Sequence, residues 1–236
     1  APAQLVADEV ARAGGKAVPC FESVATMRGG EAIVKAALDS FGKLDIAVTC
    51  HGILRDRMVF NMTEEEWDTV IQVHLKGTFT VVKNACILMR QQRSGRIITF
   101  SSESGLIGNS GQANYGAAKS GIAGFTKVVA RDMGRYGVTA NSIGPRAFTR
   151  MTAGLDSARE LRAQRGVQGI EEGDQMARLD PNDVAPFVAY LASDYARTIN
   201  GQIFVVYGGT ISLMSQPRPI RSIYKDGQWT VAELRE

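Results

Sequence analysis

The chain is poor in the residues that build metal centres and disulfide frameworks. Among 236 residues there are 2 histidines and 3 cysteines. Cys20, Cys50 and Cys86 are odd in number and far apart, so they read as reduced thiols. With His51 and His74 they make no metal-ligand spacing, and no metal is expected. No stretch reaches the ~20 consecutive apolar residues of a membrane-spanning helix. No secretory signal or peroxisomal address is visible at the ends, so a cytoplasmic setting is expected. Dense basic runs are missing too. Net charge is +3, and Arg218, Arg221 and Lys225 are spread among apolar residues. That spacing reads as a solvated face, and no nucleic-acid partner is expected.

What remains is ordinary globular material. Hydrophobic residues make up 44% of the chain and charged residues 22%, enough for one α/β domain with a substantial core. PAQLVADEVARAGG reads as an amphipathic helix closed by glycine. KAVPCF reads as a short strand, and TMRGGEAIVKAALDSFG as a helix stopped by Gly42. KLDIAVTC is a buried strand. Residues 63–92 read as one long helix, with Thr63 and Glu66 as a capping box. RIITFS is the next strand, and residues 137–143 another, running into GPRAFT. Residues 151–180 have no firm pattern and read as a mobile flap with a short helix. PNDVAPFVAYLAS is a helix with Asn182 near its cap. GQIFVVYGG reads as the last strand, and the tail as an arm ending in a short helix from about Thr230. Strands alternating with helices imply βαβ units around a parallel sheet.

One segment carries chemistry. SESGLIGNSGQANYGAAK places Ser102, Tyr115 and Lys119 in sequence between a strand and a helix. Tyr115 and Lys119, at i and i+4, share a helix face. Ser102 closes a strand, where functional groups of parallel sheets lie. The arrangement suits hydride transfer at a carbonyl or alcohol, in which a proton must also move. A free tyrosine, with a pKa of about 10, is a poor base at neutral pH. A nearby ammonium favours the phenolate, and a fall of two to three units is worth about 3–4 kcal/mol. That would make Tyr115 a serviceable acid/base, with Ser102 pinning the substrate oxygen.

With the NSIGP segment added, the chain resembles the short-chain dehydrogenase/reductase family over about residues 1–210. Residues 211–236 stand apart as a C-terminal arm. The resemblance implies a Rossmann-like, doubly wound parallel sheet and catalytic roles for Ser102, Tyr115 and Lys119. VHLKGTF, GILRDR, GQANYGAAK and RMT look like the dehydrogenase domain of peroxisomal multifunctional enzymes and their bacterial relatives. This implies NAD or NADP as cofactor and a 3-hydroxyacyl-CoA or steroid-like substrate. It also implies a homodimer or homotetramer.

The departures from the family are specific. The strand, glycine-rich turn, helix and strand that open the family fold, and cradle the cofactor pyrophosphate, precede nothing here. Strand KAVPCF would then lack a neighbour and KLDIAVTC would lose one. The expected reading is a piece of a longer protein, the alternative a truncation filled by something else. The resemblance places Val24 against the adenine. The family's Asn-Ala-Gly becomes Cys50-His51-Gly52, with Cys50 read as a small buried hydrophobe. Pro145 through Thr149 match the nicotinamide loop, with the Phe148 backbone on the carboxamide and the Thr149 hydroxyl on a phosphate. Arg146 stands where the family has glycine. His74 replaces an asparagine that holds a proton-passing water. It reads either as a titrating proton carrier or as a packing histidine. Asn141 reads as structural. The missing turn also supports an alternative reading, a non-catalytic partner subunit that binds no cofactor.

Overall fold

The structure, a computed structural model, describes residues 2–149 and 179–235. The flap expected over 151–180 lies outside them but for its last two residues. Helix α1 spans Pro2–Arg12 and α2 spans Met27–Phe41. The side chain of Thr26 accepts from the Gly29 N–H at the start of α2, and Gly42 ends it in the left-handed region with φ 78°. Strand β1 (Ile46–Thr49) follows. Helix α3 (Glu64–Ile71) opens with the expected Thr63–Glu66 capping box. Then come α4 (Gly77–Gln92), β2 (Gly95–Phe100) and the short α5 (Glu103–Leu106). Helix α6 (Ala113–Gly134) and strand β3 (Val138–Pro145) lead to the unmapped stretch. Beyond it lie α7 (Ala185–Ala192), β4 (Ile203–Tyr207) and β5 (Thr210–Leu213).

The sheet order is β1-β2-β3-β4-β5. The first four strands are parallel, and β5 turns back antiparallel on β4. Strands β2 and β3 are covered on both faces and buried along nearly their whole length, whereas β1, expected as a buried strand, leaves Ile46 and Val48 exposed. Along β2, Ile97 packs towards Val82 and Met89 of α4 and Ala130 of α6. Its neighbour Ile98 packs towards Phe187 and Leu191 of α7. This is the doubly wound, Rossmann-like α/β arrangement. Asn141 is fully buried and structural: its Nδ2 donates to the Ile199 carbonyl at 2.8 Å, and its Oδ1 accepts from the Gln202 N–H at 3.0 Å.

Several expectations need correction. Residues 16–21 form no strand. A strand exists by pairing its backbone groups, and no strand of the sheet reaches these residues; Val18 and Phe21 are exposed. The helix expected over 63–92 is interrupted by a π-turn at Gln72–Lys76. A single extra residue in the turn leaves no periodicity signal in sequence. Strand β4 is not the last. Gly208, with φ 49°, opens the turn into β5. Asn182 lies in a 3-10 turn, Pro181–Asp183, whose cap is the Asp180 side chain accepting from the Asn182 N–H at 2.8 Å; α7 begins after it, at Ala185, with no side-chain cap. The helix expected from Thr230 is one 3-10 turn, Glu233–Arg235.

Helices α2 and α4 touch through backbone. A methyl on Gly30 would lie 2.6 Å from the Thr80 Cβ and 2.7 Å from its carbonyl carbon. Gly30→Ala should therefore destabilise the fold by about 1–3 kcal/mol. Gly124→Ala, with nothing within 4 Å of the new methyl, should be neutral or stabilise by up to about 1 kcal/mol. Thermal denaturation of both variants beside the wild type checks the contrast.

Candidate active site

The site assembles at the C-terminal ends of β1, β2 and β3. The buried Ser101 Oγ donates to the Lys119 carbonyl at 2.8 Å, and Lys119 Nζ donates back to the Phe100 carbonyl at 2.7 Å. These two bonds sew α6 to the end of β2. The start of α6 is anchored by Asn114, whose Nδ2 donates to the carbonyls of Arg55 at 2.9 Å and Glu66 at 3.0 Å. Asn114 Oδ1 accepts the Tyr115 N–H at 2.7 Å. Ser102 caps α5, accepting the Ser104 N–H at 3.2 Å, and its hydroxyl hydrogen-bonds the Tyr115 phenol. Lys119 Nζ stands 5.5 Å from the Tyr115 ring centroid. The fold thus gathers Ser102, Tyr115 and Lys119 in one place.

Their electrostatics differ from the expectation. Burial raises the Tyr115 pKa above its usual value; the Ser102 hydrogen bond pulls it back and the Asp56 charge pushes it further up. The cation expected to depress it is directed elsewhere, its Nζ committed to the Phe100 carbonyl. Lys119 is itself lowered to about 8, because burial penalises its charge.

His74 sits in the π-turn, 1% exposed. Its ring meets Tyr115 edge-on with centroids 5.1 Å apart. Its Nε2 lies 2.9 Å from the Ile53 N–H and 2.7 Å from the Ile53 carbonyl oxygen. Its Nδ1 has no partner among the described residues. A methyl on Gly52 would overlap the ring's Cε1, so glycine at 52 and histidine at 74 go together. Burial first, and the Lys119 charge second, lower His74 to about 4. His51 is lowered by the same two causes, and its Nε2 is also buried without a partner among the described residues.

These groups open on a cavity of about 600 Å³, within the usual range of small-molecule sites. Its wall includes Cys50, Gly52, His74, Tyr115, Lys119, Pro145 and Thr149 from the sequence-derived set. Ser102, Val24 and Phe148 lie outside the wall, Ser102 meeting it through Tyr115. Val24 faces Gly77 and takes a hydrogen bond from the Thr80 hydroxyl at 2.7 Å. The Phe148 N–H donates to the Leu179 carbonyl at 2.8 Å. Cys50 is exposed, not a buried hydrophobe, because it lies past the end of β1 on the cavity side. Sequence reasoning missed the far wall, Val184, Ala185, Val188 and Ala189, which only packing of α7 brings here. It also missed Asn114, whose anchoring role leaves no motif. No cluster of three or more His, Cys, Asp or Glu side chains occurs among the described residues. No helix among them is long and apolar enough to cross a membrane.

A family profile described as enoyl-(acyl carrier protein) reductase matches residues 2–210. The chain belongs to the short-chain dehydrogenase/reductase family, and it is an oxidoreductase of that family. Among its relatives is the hydroxyacyl-CoA dehydrogenase ChsB1 of Mycobacterium tuberculosis. It is 42% identical over 242 residues, covering 97% of this chain and 73% of that protein. The peroxisomal multifunctional enzyme type 2 of Mus musculus is 38% identical over 223 residues, 94% of this chain and 28% of that protein. A crystal structure of a short chain dehydrogenase from Mycobacterium avium superposes with a TM-score of 0.83 at 40% identity. That match covers 98% of this chain and 75% of that one.

The buried histidine should show in the stability. His74 stays neutral in the fold down to pH about 4, whereas an unfolded histidine takes a proton below about 6.5. The unfolded state binds more protons in that window, so stability should rise with pH from 4 to 6.5, by about 3 kcal/mol in all. His74→Asn should remove most of this slope and leave a smaller one from His51. Urea unfolding of both proteins across pH 4–7 measures it.

Proposed function

We propose that this chain interconverts a secondary alcohol and a ketone with NAD or NADP, and that the substrate is a 3-hydroxyacyl-CoA or a steroid-like molecule. The observation that carries this is Tyr115 and Lys119 on the wall of one cavity, with Ser102 beside the Tyr115 phenol. The wall suits a nicotinamide ribose: a cation, a phenol and a hydroxyl stand in a largely apolar chamber. Two of its residues, His51 and His74, have buried ring nitrogens without partners among the described residues. Cys50, Gly52, Pro145 and Thr149 would hold the cofactor with Tyr115 and Lys119, with Val24 and Phe148 at its margin. When bound, the nicotinamide supplies the hydride acceptor or donor.

The chain's own residues then handle the proton. Ser102 orients the substrate oxygen by hydrogen bond. Tyr115 Oη gives a proton to that oxygen as a carbonyl is reduced, and takes it back as an alcohol is oxidised. The raised pKa keeps Tyr115 protonated at neutral pH, ready for the first direction. Lys119 holds the ribose and shares the proton with Tyr115. His74 is the proton carrier behind them. Ile53 offers both its N–H and its carbonyl to Nε2, so either tautomer is held, and Nδ1 stands as donor or acceptor accordingly.

The apolar wall from α7 supports an acyl or steroid body beside the reacting carbon. The likeness to the hydroxyacyl-CoA dehydrogenase ChsB1 favours the acyl-CoA thioester. The domain expected over 1–210 would carry the reaction, and of the arm expected over 211–236 the first three residues belong to β5 of the sheet. Exposed Trp67, Phe79, Ile87 and Val128 on α3, α4 and α6 support a homodimer or homotetramer through those helices.

Tyr115→Phe should lower kcat/KM by at least about 100-fold, with thermal stability unchanged. The assay is absorbance of reduced nicotinamide with 3-hydroxybutyryl-CoA and with a hydroxysteroid. Fluorescence titration with NADH and NADPH gives binding separately. Near-wild-type turnover by the variant, or no binding of either nucleotide by the wild type, would overturn the reading.

A further inference from the structure

The loops after β2 and β3 supply different parts of the site. The first carries Ser102, the second Pro145, Ala147 and Thr149 of the cavity wall. Loops beyond strand ends are free to splay unless something ties them together. Near the end of β3, Gly144 packs against the backbone of Ser102: a methyl placed on Gly144 would lie 3.6 Å from the Ser102 Cα. Glu103 follows Ser102 directly, and Arg146 stands two residues beyond Gly144.

These two side chains meet as a fork. Arg146 Nη2 donates to Glu103 Oε1 at 2.6 Å, and Arg146 Nε donates to Glu103 Oε2. Each side chain is only about a quarter exposed, at 23% and 24%. Two parallel charge-assisted bonds fix distance and angle together, which a single contact between flexible chains does not. The arginine is held from behind as well. Its guanidinium carbon lies 4.6 Å from the Tyr207 ring centroid, and its backbone N–H, as any residue's there would, donates to the Val206 carbonyl at 3.0 Å. One residue therefore touches the ends of β2, β3 and β4. A glycine at 146 has no side chain to do this.

We propose that Glu103 and Arg146, backed by Tyr207, form a clasp that positions the serine loop against the nicotinamide-side loop. Both are positioning residues: they act through Ser102 and through Pro145–Thr149. The idea that the clasp serves catalysis rests on the proposed function. The clasp itself rests only on the coordinates, so the two are tested separately.

Hydrogen–deuterium exchange reads the clasp without any activity. Gly105 and Leu106 donate their N–H groups to the Ser102 carbonyl, at 2.9 and 3.1 Å. Arg146 and Phe148 donate theirs to Val206 and Leu179. Arg146→Met should speed exchange at Gly105 and Leu106, across the gap, at least fivefold. Glu103→Gln should do the same at Arg146 and Phe148. Glu103→Arg with Arg146→Glu should restore much of the protection. Faster exchange confined to the mutated loop, or no recovery in the swap, overturns the clasp.

Kinetics with 3-hydroxybutyryl-CoA and the nucleotides then read its consequence. Each single variant should lower kcat and raise the KM for nucleotide about fivefold or more. The double variant Glu103→Gln with Arg146→Met should be no worse than either single. A purely structural role would reduce the active fraction and leave KM where it was. Unchanged KM in the singles, or losses that multiply in the double, overturns the catalytic part. A wild-type protein that turns over neither probe, yet shows reciprocal exchange, defeats the proposed function and keeps the clasp.

Discussion

The site depends on a lysine that the fold buries. Lys119 is 5% exposed, and its ammonium is tied to the last carbonyl of β2 while its own carbonyl receives Ser101. Burying a charge is costly unless hydrogen bonds meet it, and a single carbonyl meets only part of the need. The pKa near 8 is the measure of what is left unmet. The same two bonds set the helix against the strand end, and so bring Tyr115 over Ser102. Structure and chemistry share one joint: the contact that locates the phenol also leaves the ammonium ready to give up its proton.

The tyrosine shows that proximity alone does not decide a pKa. An ammonium one helical turn away would favour the phenolate if it pointed at the oxygen. Here it points at a peptide carbonyl, and desolvation of the phenol prevails. The direction of the shift therefore followed from the orientation of one Nζ, a torsional detail within a correctly placed pair. The histidine beside it is a case of mutual permission. The π-turn swings His74 under the tyrosine, and the bare backbone of Gly52 leaves room for its ring.

Much of the scaffold was legible. Helices α2, α3 and α6 and strands β2, β3 and β4 follow from local periodicity and from the Thr63–Glu66 capping box and the Gly42 stop, whose physics acts within a few residues. The segment at 16–21 has strand composition and forms none, because pairing is supplied by neighbours and not by the residues themselves. The short β5 was overlooked for the opposite reason: its four residues carry little signal and exist as a strand because β4 is beside them.

The site divides along the same line. The sequence alone determined which groups come together: the order Ser102, Tyr115, Lys119 and the i, i+4 spacing place phenol and amine on one helix face. It also determined the parallel sheet that presents them. Only the tertiary structure decided what surrounds them: the α7 wall, the exposure of Cys50, the Asn114 anchor, the partner of Nζ and the fork between Glu103 and Arg146. Spacing along a chain governs neighbours one turn away, whereas dielectric, hydrogen-bond direction and cavity shape arise from segments tens of residues apart.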